Sequence, residues 1–244
     1  MVSDAGPAET PDATKLGGAV GFHDERASSW SAGYHRSDHF RRRARDWKAV
    51  IDAYLARDMR VLDAGCGAGD LSLLAARRGA TLTCVDASPA MVGEARRTLS
   101  GLSPTPTFHR ADVRHLPLSD GSYDAVMASS VLEYVAPLDA ALMEFRRVLR
   151  PDGLLLCSLP NRKSLYRQVE GLVVRMTGRP AYRRHVNENV YCADLERLFD
   201  KAGFQIIERR PSGTPPLLGK GAIGDFAQRH ARLATMTLFV AKAI

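Results

Sequence analysis

The stretch Val61-Leu-Asp-Ala-Gly-Cys-Gly-Ala-Gly69 decides the fold of this 244-residue chain. An apolar strand ends there in alternating glycines, which let the backbone turn sharply and let a ligand approach without meeting a Cβ atom. The G-x-G-x-G spacing differs from the dinucleotide pattern G-x-G-x-x-G, and the Lys-Ser/Thr pair of a phosphate-binding loop is missing. Asp63, just before the glycines, would repel a pyrophosphate. It favours a cationic or amine-bearing ligand.

Strands and helices alternate on the carboxyl-terminal side of this stretch. The predicted strands are residues 60–64, 81–86, 107–109, 123–128 and 153–158. Strands separated by helical segments predict an α/β fold, in which a parallel sheet carries helices on both faces. The last two strands, 204–209 and 235–240, have no helix between them. We therefore expect them to pair as an antiparallel hairpin at the sheet edge.

Acidic residues follow the second and third strands, where the ligand of an open parallel sheet binds. Asp86 comes 21 residues after Gly65 and can accept hydrogen bonds from both ribose hydroxyls of a nucleoside. Asp112 fits a hydrogen bond to an adenine amino group, and Met91 and Val113 could enclose the ring from its two faces. Three successive strand ends therefore predict a nucleoside site.

These stretches resemble the class I methyltransferases that use S-adenosylmethionine. The matching segments are residues 61–69, 85–88, 111–117, 123–135 and 149–154. The resemblance implies a Rossmann-like, seven-stranded sheet of order 3-2-1-4-5-7-6, with the last strand antiparallel and a small helical cap. It also implies that S-adenosylmethionine is the methyl donor and S-adenosylhomocysteine the product.

The resemblance assigns the donor site residue by residue. Asp63 and the backbone of the glycine turn would hold the methionine part, Asp86 the ribose, and Met91, Asp112 and Val113 the adenine, while Ala128 and Ser129 would line the floor beside the sulfonium. The complete predicted set is Asp63, Ala64, Gly65, Cys66, Gly67, Asp86, Ala87, Met91, Asp112, Val113, Ala128 and Ser129.

Within the class, the sequence is most similar to small-molecule methyltransferases of the ubiquinone-biosynthesis type. Some of those carry a Glu-x-x-Glu-His stretch that can bind a divalent metal, where this chain has Ser130-Val-Leu-Glu-Tyr134. Glu133 alone is a poor hard-cation site. We therefore predict metal-independent in-line transfer of the methyl group to an oxygen or nitrogen of a small-molecule acceptor, in specialised metabolism.

The acceptor side is predicted from chemistry-bearing residues outside the donor motifs. A general base must lie within hydrogen-bond reach of the acceptor, and the candidates are Tyr34, His35, Glu133, Tyr134 and His185. Residues 161–192 interrupt the sheet rhythm and are the candidate cap over the acceptor. Its predicted substrate residues are Tyr166, Arg183, Arg184, His185 and Tyr191. The basic side chains suggest an anionic or aromatic acceptor, although a solvated helix face explains them equally well.

The rest of the chain is divided by composition. We expect a disordered tail over residues 1–19, N-terminal helices or a lid over 20–57, and the methyltransferase domain over 58–244. The 34 Lys and Arg outnumber the 27 Asp and Glu, for a net charge of +7. Most of this excess lies in clusters such as residues 41–45 and 183–184, which resemble solvated helix faces outside the donor site.

Two alternatives and a location remain as expectations. The basic charge leaves methylation of RNA or protein open, although nucleic acid is a less favoured partner, and the fold could also serve as a non-catalytic cofactor-binding module. The cysteines Cys66, Cys84, Cys157 and Cys192 show no metal-ligand spacing. Free thiols, together with the lack of an apolar signal segment or membrane span, predict a cytoplasmic protein.

Overall fold

The structure is a computed structural model of the whole chain. It describes residues 11–25, 27, 38–161, 163–177, 186, 194–215, 226 and 230–244. Within these residues, none of the helices combines the length and the hydrophobicity that a bilayer crossing requires.

A seven-stranded sheet forms the centre of the fold. Its strands are β1 (Arg60–Ala64), β2 (Thr81–Asp86), β3 (Thr107–Arg110), β4 (Tyr123–Ser129), β5 (Leu149–Pro160), β6 (Phe204–Ser212) and β7 (Met236–Ala243). Their order is β3-β2-β1-β4-β5-β7-β6. Strands β1 to β5 pair in parallel, whereas β7 pairs antiparallel with both β5 and β6. The predicted order and the antiparallel terminal hairpin are confirmed.

The helices are α1 (Pro11–Asp24), α2 (Asp38–Tyr54), α3 (Asp70–Arg77), α4 (Pro89–Thr98), α5 (Leu138–Val148), α6 (Leu165–Thr177) and α7 (Leu195–Lys201). A short 3-10 helix covers Leu132–Tyr134. Ser88 caps α4, because its side chain accepts a hydrogen bond from the Met91 amide at 3.0 Å and Pro89 follows it. Asp194 caps α7 in the same way.

Two hydrophobic layers bury the two faces of the sheet. Successive strand residues point to opposite faces, so Leu62 packs into one layer and Val61 into the other. Helix α5 supplies Leu142, Phe145 and Val148 to the first layer. Helices α2, α3 and α4 cover the second layer. The sheet is therefore sandwiched between helices, as the alternating sequence predicts.

Helix α2 is also fixed to the far edge of the sheet by polar contacts. The Tyr54 hydroxyl donates to Glu208 at 2.5 Å, and the Ser212 hydroxyl donates to Asp46 at 2.6 Å. The two acceptors, Asp46 on α2 and Glu208 on β6, are both partly shielded from solvent. These bonds hold the N-terminal helix against β6, above the carboxyl ends of the central strands.

The N-terminal prediction needs correction. Residues 11–19 belong to α1, so the prediction of a disordered tail is wrong for them, and residues 1–10 lie outside the described residues. Apolar periodicity is weak in this segment, with glycines at 17 and 18 inside the helix. Its helical state depends on tertiary contacts with α4 and the 3-10 helix, which composition does not show.

Truncation of the α5 core face should lower stability sharply. Phe145 is fully buried, whereas Met143 on the same helix is 59% exposed. We expect Phe145→Ala to lower the free energy of unfolding by about 3–5 kcal/mol, since a cavity replaces a packed ring. Met143→Ala should change it by less than about 0.5 kcal/mol. Urea denaturation of the two variants measures both; equal effects would contradict the packing described here.

Candidate functional site

A cavity of about 470 Å³ opens at the carboxyl ends of β1, β2 and β4. This is the edge where ligands of open parallel sheets bind. The cavity is walled by the glycine turn, by α1 and α2 on one side, and by α6 with the β6 and β7 ends on the other. It therefore reaches well beyond the predicted donor motifs.

The glycine turn is shaped by two positions with left-handed backbone. Gly65 has φ of 76°, and a Cβ atom built on it would lie 2.1 Å from Cγ2 of Val131. Gly67 has φ of 53°, and a Cβ atom there would meet no atom within 4 Å. Gly67 lines the cavity. A side chain is thus excluded at Gly65 by the protein itself, and at Gly67 it would occupy open space.

Asp86 is held by the turn that follows β1. Its carboxylate accepts the Gly67 amide and the Ser88 amide, each at 2.9 Å. Burial raises the pKa of Asp86, the amides of Ser88 and Gly67 lower it, and the charge of Asp24 raises it again. The net shift is upward. The two amides therefore fix the position of the carboxylate, while its raised pKa makes Asp86 a weaker acid than usual.

Asp63 is the more deeply buried acid. It is 2% exposed, and the Ser72 hydroxyl donates to it at 2.5 Å. Burial raises the pKa of Asp63 to about 6, against the opposing hydrogen bond from Ser72. The neighbouring charge of Asp86 raises it further and that of Arg43 lowers it. A cationic ligand group beside this carboxylate would offset the free-energy cost of holding its charge away from water.

Asp112 is engaged by its own neighbour. The Arg114 guanidinium donates to the Asp112 carboxylate from Nη2 at 2.7 Å and from Nε at 3.0 Å. Burial acts to raise the pKa of Asp112, but the hydrogen bonds and charge of Arg114 outweigh it, so the pKa lies below its usual value. Arg114 was not predicted. It keeps the third acid ionised and oriented at the cavity rim.

Helix α1 covers the nucleoside end of the cavity through Ala19, Val20 and His23. Asp24 accepts a short hydrogen bond from the Ser88 hydroxyl and a longer one from the Ala90 amide at 3.4 Å. The His23 ring meets Tyr134 edge to face, with ring centroids 5.4 Å apart. The helix is therefore tied to α4 on one side and to the 3-10 helix on the other.

Helix α2 forms a second wall that sequence reasoning missed. His39, Phe40, Arg43 and Trp47 line the cavity from this helix. Arg43 Nη2 donates to the Ser129 carbonyl at 3.1 Å and to the Ser129 hydroxyl at 2.7 Å. The prediction that residues 41–45 form only a solvated face outside the donor site is thus wrong for Arg43. The sequence did contain a signal for this wall: His39, Arg43 and Trp47 follow one another at intervals of four residues, which places them on one face of a helix.

The far end of the cavity is polar and partly buried. Arg167 and Glu170 on α6 form an ion pair at 2.8 Å, and the Tyr166 hydroxyl donates to Glu170 at 3.3 Å. Burial, followed by the charge of Glu170, raises the pKa of Tyr166. Thr214 and Thr235 line the same end. These residues belong to the cavity lining but lie outside the predicted donor motifs.

The predicted site residues divide into three groups. Those lining the cavity are Asp63, Gly65, Cys66, Gly67, Asp86, Ala87, Met91, Asp112, Val113, Ser129, Glu133, Tyr134 and Tyr166. Ala64 and Ala128 do not line it, because both are fully buried in the first hydrophobic layer. Tyr34, His35, Arg183, Arg184, His185 and Tyr191 lie outside the described residues.

Two further observations bear on metals and thiols. Among the described residues, no group of three or more His, Cys, Asp or Glu side chains is arranged to hold a metal ion. Cys66, Cys84 and Cys157 are free and buried, and Cys192 lies outside the described residues. A hydrogen bond with Cys84, together with burial, raises the pKa of Cys66 well above its usual value. The Cys66 thiol that lines the cavity is therefore a poor nucleophile.

Comparison with known proteins agrees with this geometry. Residues 62–157 match the family model of the methyltransferase domain. The ubiquinone biosynthesis O-methyltransferase of Cereibacter sphaeroides is 30% identical over 169 residues, which are 68% of this chain and 68% of that protein. The chain belongs to the class I S-adenosylmethionine-dependent methyltransferases.

Two other similarities support the methyltransferase family and the fold. The malonyl-[acyl-carrier protein] O-methyltransferase of Geobacter sulfurreducens is 37% identical over 157 residues, 61% of this chain and 57% of that protein. This methyltransferase chain thus spans little more than half the length of that relative. The magnesium protoporphyrin IX methyltransferase of Synechocystis PCC 6803, solved with bound SAH, has a TM-score of 0.67 at 19% identity, covering 94% of this chain and all of that one.

Loss of the Ser88 cap should loosen α1 as well as α4. We expect Ser88→Ala to lower the free energy of unfolding by about 1 kcal/mol, as for other N-caps. It also removes the donor of the Asp24 hydrogen bond, so amide hydrogen exchange in residues 17–25 should accelerate. The control is Asp194→Ala, which removes the cap of α7. We expect Asp194→Ala to lose a similar amount of stability while amide exchange in α1 stays unchanged. Accelerated exchange in α1 in both variants would contradict a direct connection between Ser88 and α1.

Proposed function

We propose that this methyltransferase transfers a methyl group from S-adenosylmethionine to an oxygen or nitrogen of a small-molecule acceptor, in specialised metabolism and without a metal ion. The observation that supports this most directly is the continuity of the cavity. Its lining extends from the acids at the ends of β1 and β2 to Tyr166, Arg167 and Glu170 on α6. Donor and acceptor could therefore meet inside one enclosure.

The donor half fits the group that the family uses. A sulfonium donor supplies a methyl group that is already activated for displacement. Asp63 has a raised pKa and the buried position that would favour an ammonium partner. Asp86 presents a fixed carboxylate at the position of a ribose acid, and Met91 and Val113 supply apolar surface for a base. These residues would bind and orient the donor.

The acceptor half would align the second substrate and exclude water. The wall contains Phe40, Trp47 and Met236, which offer apolar and aromatic surface. Arg43 and Arg167 add positive charge nearby. An anionic or aromatic small acceptor suits this surface, in agreement with the basic cap predicted over residues 161–192. Alignment and dehydration of the reactants are the main catalytic contributions that a displacement from an activated donor needs.

The names of the relatives do not choose the nucleophile. Two relatives are named as O-methyltransferases, one acting in ubiquinone biosynthesis and one on malonyl-[acyl-carrier protein]. Others are named as C-methyltransferases of ubiquinone and menaquinone biosynthesis. The nucleophile proposed for this chain is therefore a matter for direct tests of acceptors.

Calorimetry and isotope transfer test the proposal. S-adenosylhomocysteine should bind the full chain with a 1:1 stoichiometry. Labelled methyl should then pass from the donor to members of a panel of phenols, carboxylic acids and amines. Absence of product binding would overturn the methyltransferase function. Transfer only to RNA or protein would overturn the small-molecule acceptor.

Gly67→Ala should separate donor binding from folding. A left-handed alanine costs about 1–2 kcal/mol, and no protein atom lies within 4 Å of the added methyl group. That group would instead occupy the cavity, so we expect affinity for S-adenosylhomocysteine to fall at least about tenfold. Gly101→Ala is the matched control, because Gly101 has φ of 79°, equally open surroundings and no place in the cavity lining. It should lose similar stability and keep its affinity; weakened binding in both would contradict the proposed approach of the donor.

The pKa of Asp63 predicts the pH dependence of donor binding. With a folded pKa of about 6, the carboxylate is protonated below that pH and ionised above it. Binding of an ammonium group needs the ionised form, so affinity for S-adenosylhomocysteine should rise about tenfold per pH unit below pH 6 and level off above it. Calorimetry from pH 5 to pH 8 measures this. Asp63→Asn should lose about 10- to 100-fold in affinity at pH 8.

The stability of the ligand-free protein should respond to pH in the opposite direction to donor affinity: the Asp63 contribution to stability falls as the pH rises. Since the folded pKa of Asp63, about 6, lies above the usual value of 3.8, the ionised carboxylate opposes folding at neutral pH. This cost decreases as the pH falls through about 6 and is gone only below 3.8. Asp63→Asn should therefore stabilise the ligand-free protein at pH 7. Asp120→Asn is the control, because the Asp120 side chain is 79% exposed. A flat pH profile in the wild-type protein would contradict the assignment of Asp63.

A further inference from the structure

We propose that His39 is the general base for this methyl transfer and that Arg43 holds the oxyanion that forms, so that the site selects acceptors with a phenolic hydroxyl group. This inference rests on the function proposed above. It goes further by assigning the base, by choosing oxygen as the nucleophile, and by placing an electrostatic filter between the two substrates.

The first observation is the shared helix face. His39 and Arg43 are four residues apart on α2, and both line the cavity together with Trp47 in the following turn. Residues at this spacing are neighbours on a helix surface. Trp47 is only 1% exposed, so it fixes the rotation of α2 against the sheet. The imidazole and the guanidinium therefore face the same cavity, with His39 at its exposed rim.

The second observation is the position of Arg43. Its Nη2 atom donates to both the carbonyl and the hydroxyl of Ser129, at the carboxyl end of β4. Ser129 is one of the two residues, with Ala128, that the family resemblance places beside the sulfonium. A guanidinium has further N–H groups on its other nitrogens and keeps its charge at all working pH values. It is thus anchored where negative charge on an attacking oxygen would develop.

The third observation is the environment of the His39 ring. His39 lies at the exposed rim of the cavity, near Thr214. Desolvation, followed by the charges of Arg43 and Arg167, lowers the pKa of His39, and the Thr214 backbone acts in the opposite direction. A neutral imidazole carries a lone pair on one of its two ring nitrogens. The ring is therefore available to take a proton at neutral pH.

The charges that face His39 also discriminate among nucleophiles. Arg43 lies on the same helix as His39, and its charge acts on the ring more strongly than that of Arg167 on α6, which is ion-paired with Glu170. The Arg43 guanidinium disfavours a protonated amine and favours an oxyanion. A carboxylate acceptor would need no base, whereas a phenol does. A neutral base beside the Arg43 guanidinium therefore fits the phenolic hydroxyl best.

The transfer step is balanced in the following way. The acceptor O–H bond breaks and its proton passes to the free ring nitrogen of His39. The oxygen forms a bond to the methyl carbon while the carbon–sulfur bond breaks, and that electron pair remains on sulfur. The products are a methyl ether, the thioether S-adenosylhomocysteine and an imidazolium, which returns its proton to solvent.

A chromophoric phenol tests the inference without knowledge of the natural acceptor. The full chain is saturated with S-adenosylhomocysteine and titrated with 4-nitrophenol, whose phenolate absorbs at longer wavelength than the phenol. We expect it to bind as the phenolate, with its apparent pKa lowered by at least one unit, or about tenfold. 4-Nitroanisole, which cannot ionise, should bind more weakly.

Matched variants assign the effect to the two residues. His39→Gln and Arg43→Gln should each reverse the shift by about tenfold. His109→Gln in β3 and Arg41→Gln on the exposed side of α2 should leave it unchanged, because neither residue lines the cavity. Nitrogen-15 spectra of the histidine rings should also show an imidazolium signal on phenolate binding, and His39→Gln should remove it.

Failure of this inference can be told apart from failure of the proposed function. If S-adenosylhomocysteine binds by calorimetry but 4-nitrophenol does not bind, or binds equally well in His39→Gln and Arg43→Gln, the roles of His39 and Arg43 are overturned and the methyltransferase function stands. If S-adenosylhomocysteine itself does not bind the wild-type chain, the proposed function is overturned first.

Discussion

The hydrogen bond from the Gly67 amide to the Asp86 carboxylate connects the two parts of the site on which the rest depends. The parallel register places the end of β1 beside the end of β2, with Ala64 opposite Val85. The turn after β1 can then reach the acid that ends β2, at 2.9 Å. A backbone amide can be aimed in this way only where the chain accepts left-handed φ values, as it does at Gly65 and Gly67. Sheet register, glycine turn and acid position are therefore one constraint.

That constraint concentrates negative charge in a poorly solvated place. Burial is the first cause of the raised pKa of both Asp63 and Asp86, and the charge of Asp86 also raises the pKa of Asp63. The unliganded protein therefore holds these groups at a free-energy disadvantage. Hydrogen bonds from Ser72, Gly67 and Ser88 offset part of it. A cationic ligand would offset more, so the same burial that weakens the acids prepares them for a positively charged donor.

Local sequence signals were sufficient for the strands and for the glycine turn, whereas the order of the strands in the sheet was implied by the family resemblance. Strand ends and the glycine turn each depend on residues within a few positions of one another. The helical walls depend instead on long-range packing: α1 is placed by Asp24 and Ser88, which are 64 residues apart, and Arg43 by Ser129, 86 residues away. Charge alone suggested a solvated face for Arg43. The helical spacing of His39, Arg43 and Trp47 indicated instead that these residues share one face of a helix. That spacing does not show which part of the protein the face packs against.

The placement of Arg43 gives the cavity an electrostatic direction. Asp63 and Asp86 lie at the ends of β1 and β2, whereas Arg43 is bound to the end of β4 and Arg167 lies on α6, paired with Glu170. A guanidinium near a sulfonium would by itself disfavour the donor. It becomes favourable once an acceptor oxygen gives up its proton, because the new negative charge lies between two positive groups. The net charge of +7 does not describe this arrangement. The position of one arginine, fixed by two hydrogen bonds to Ser129, accounts for how a cationic donor and an ionised acceptor could occupy the same cavity.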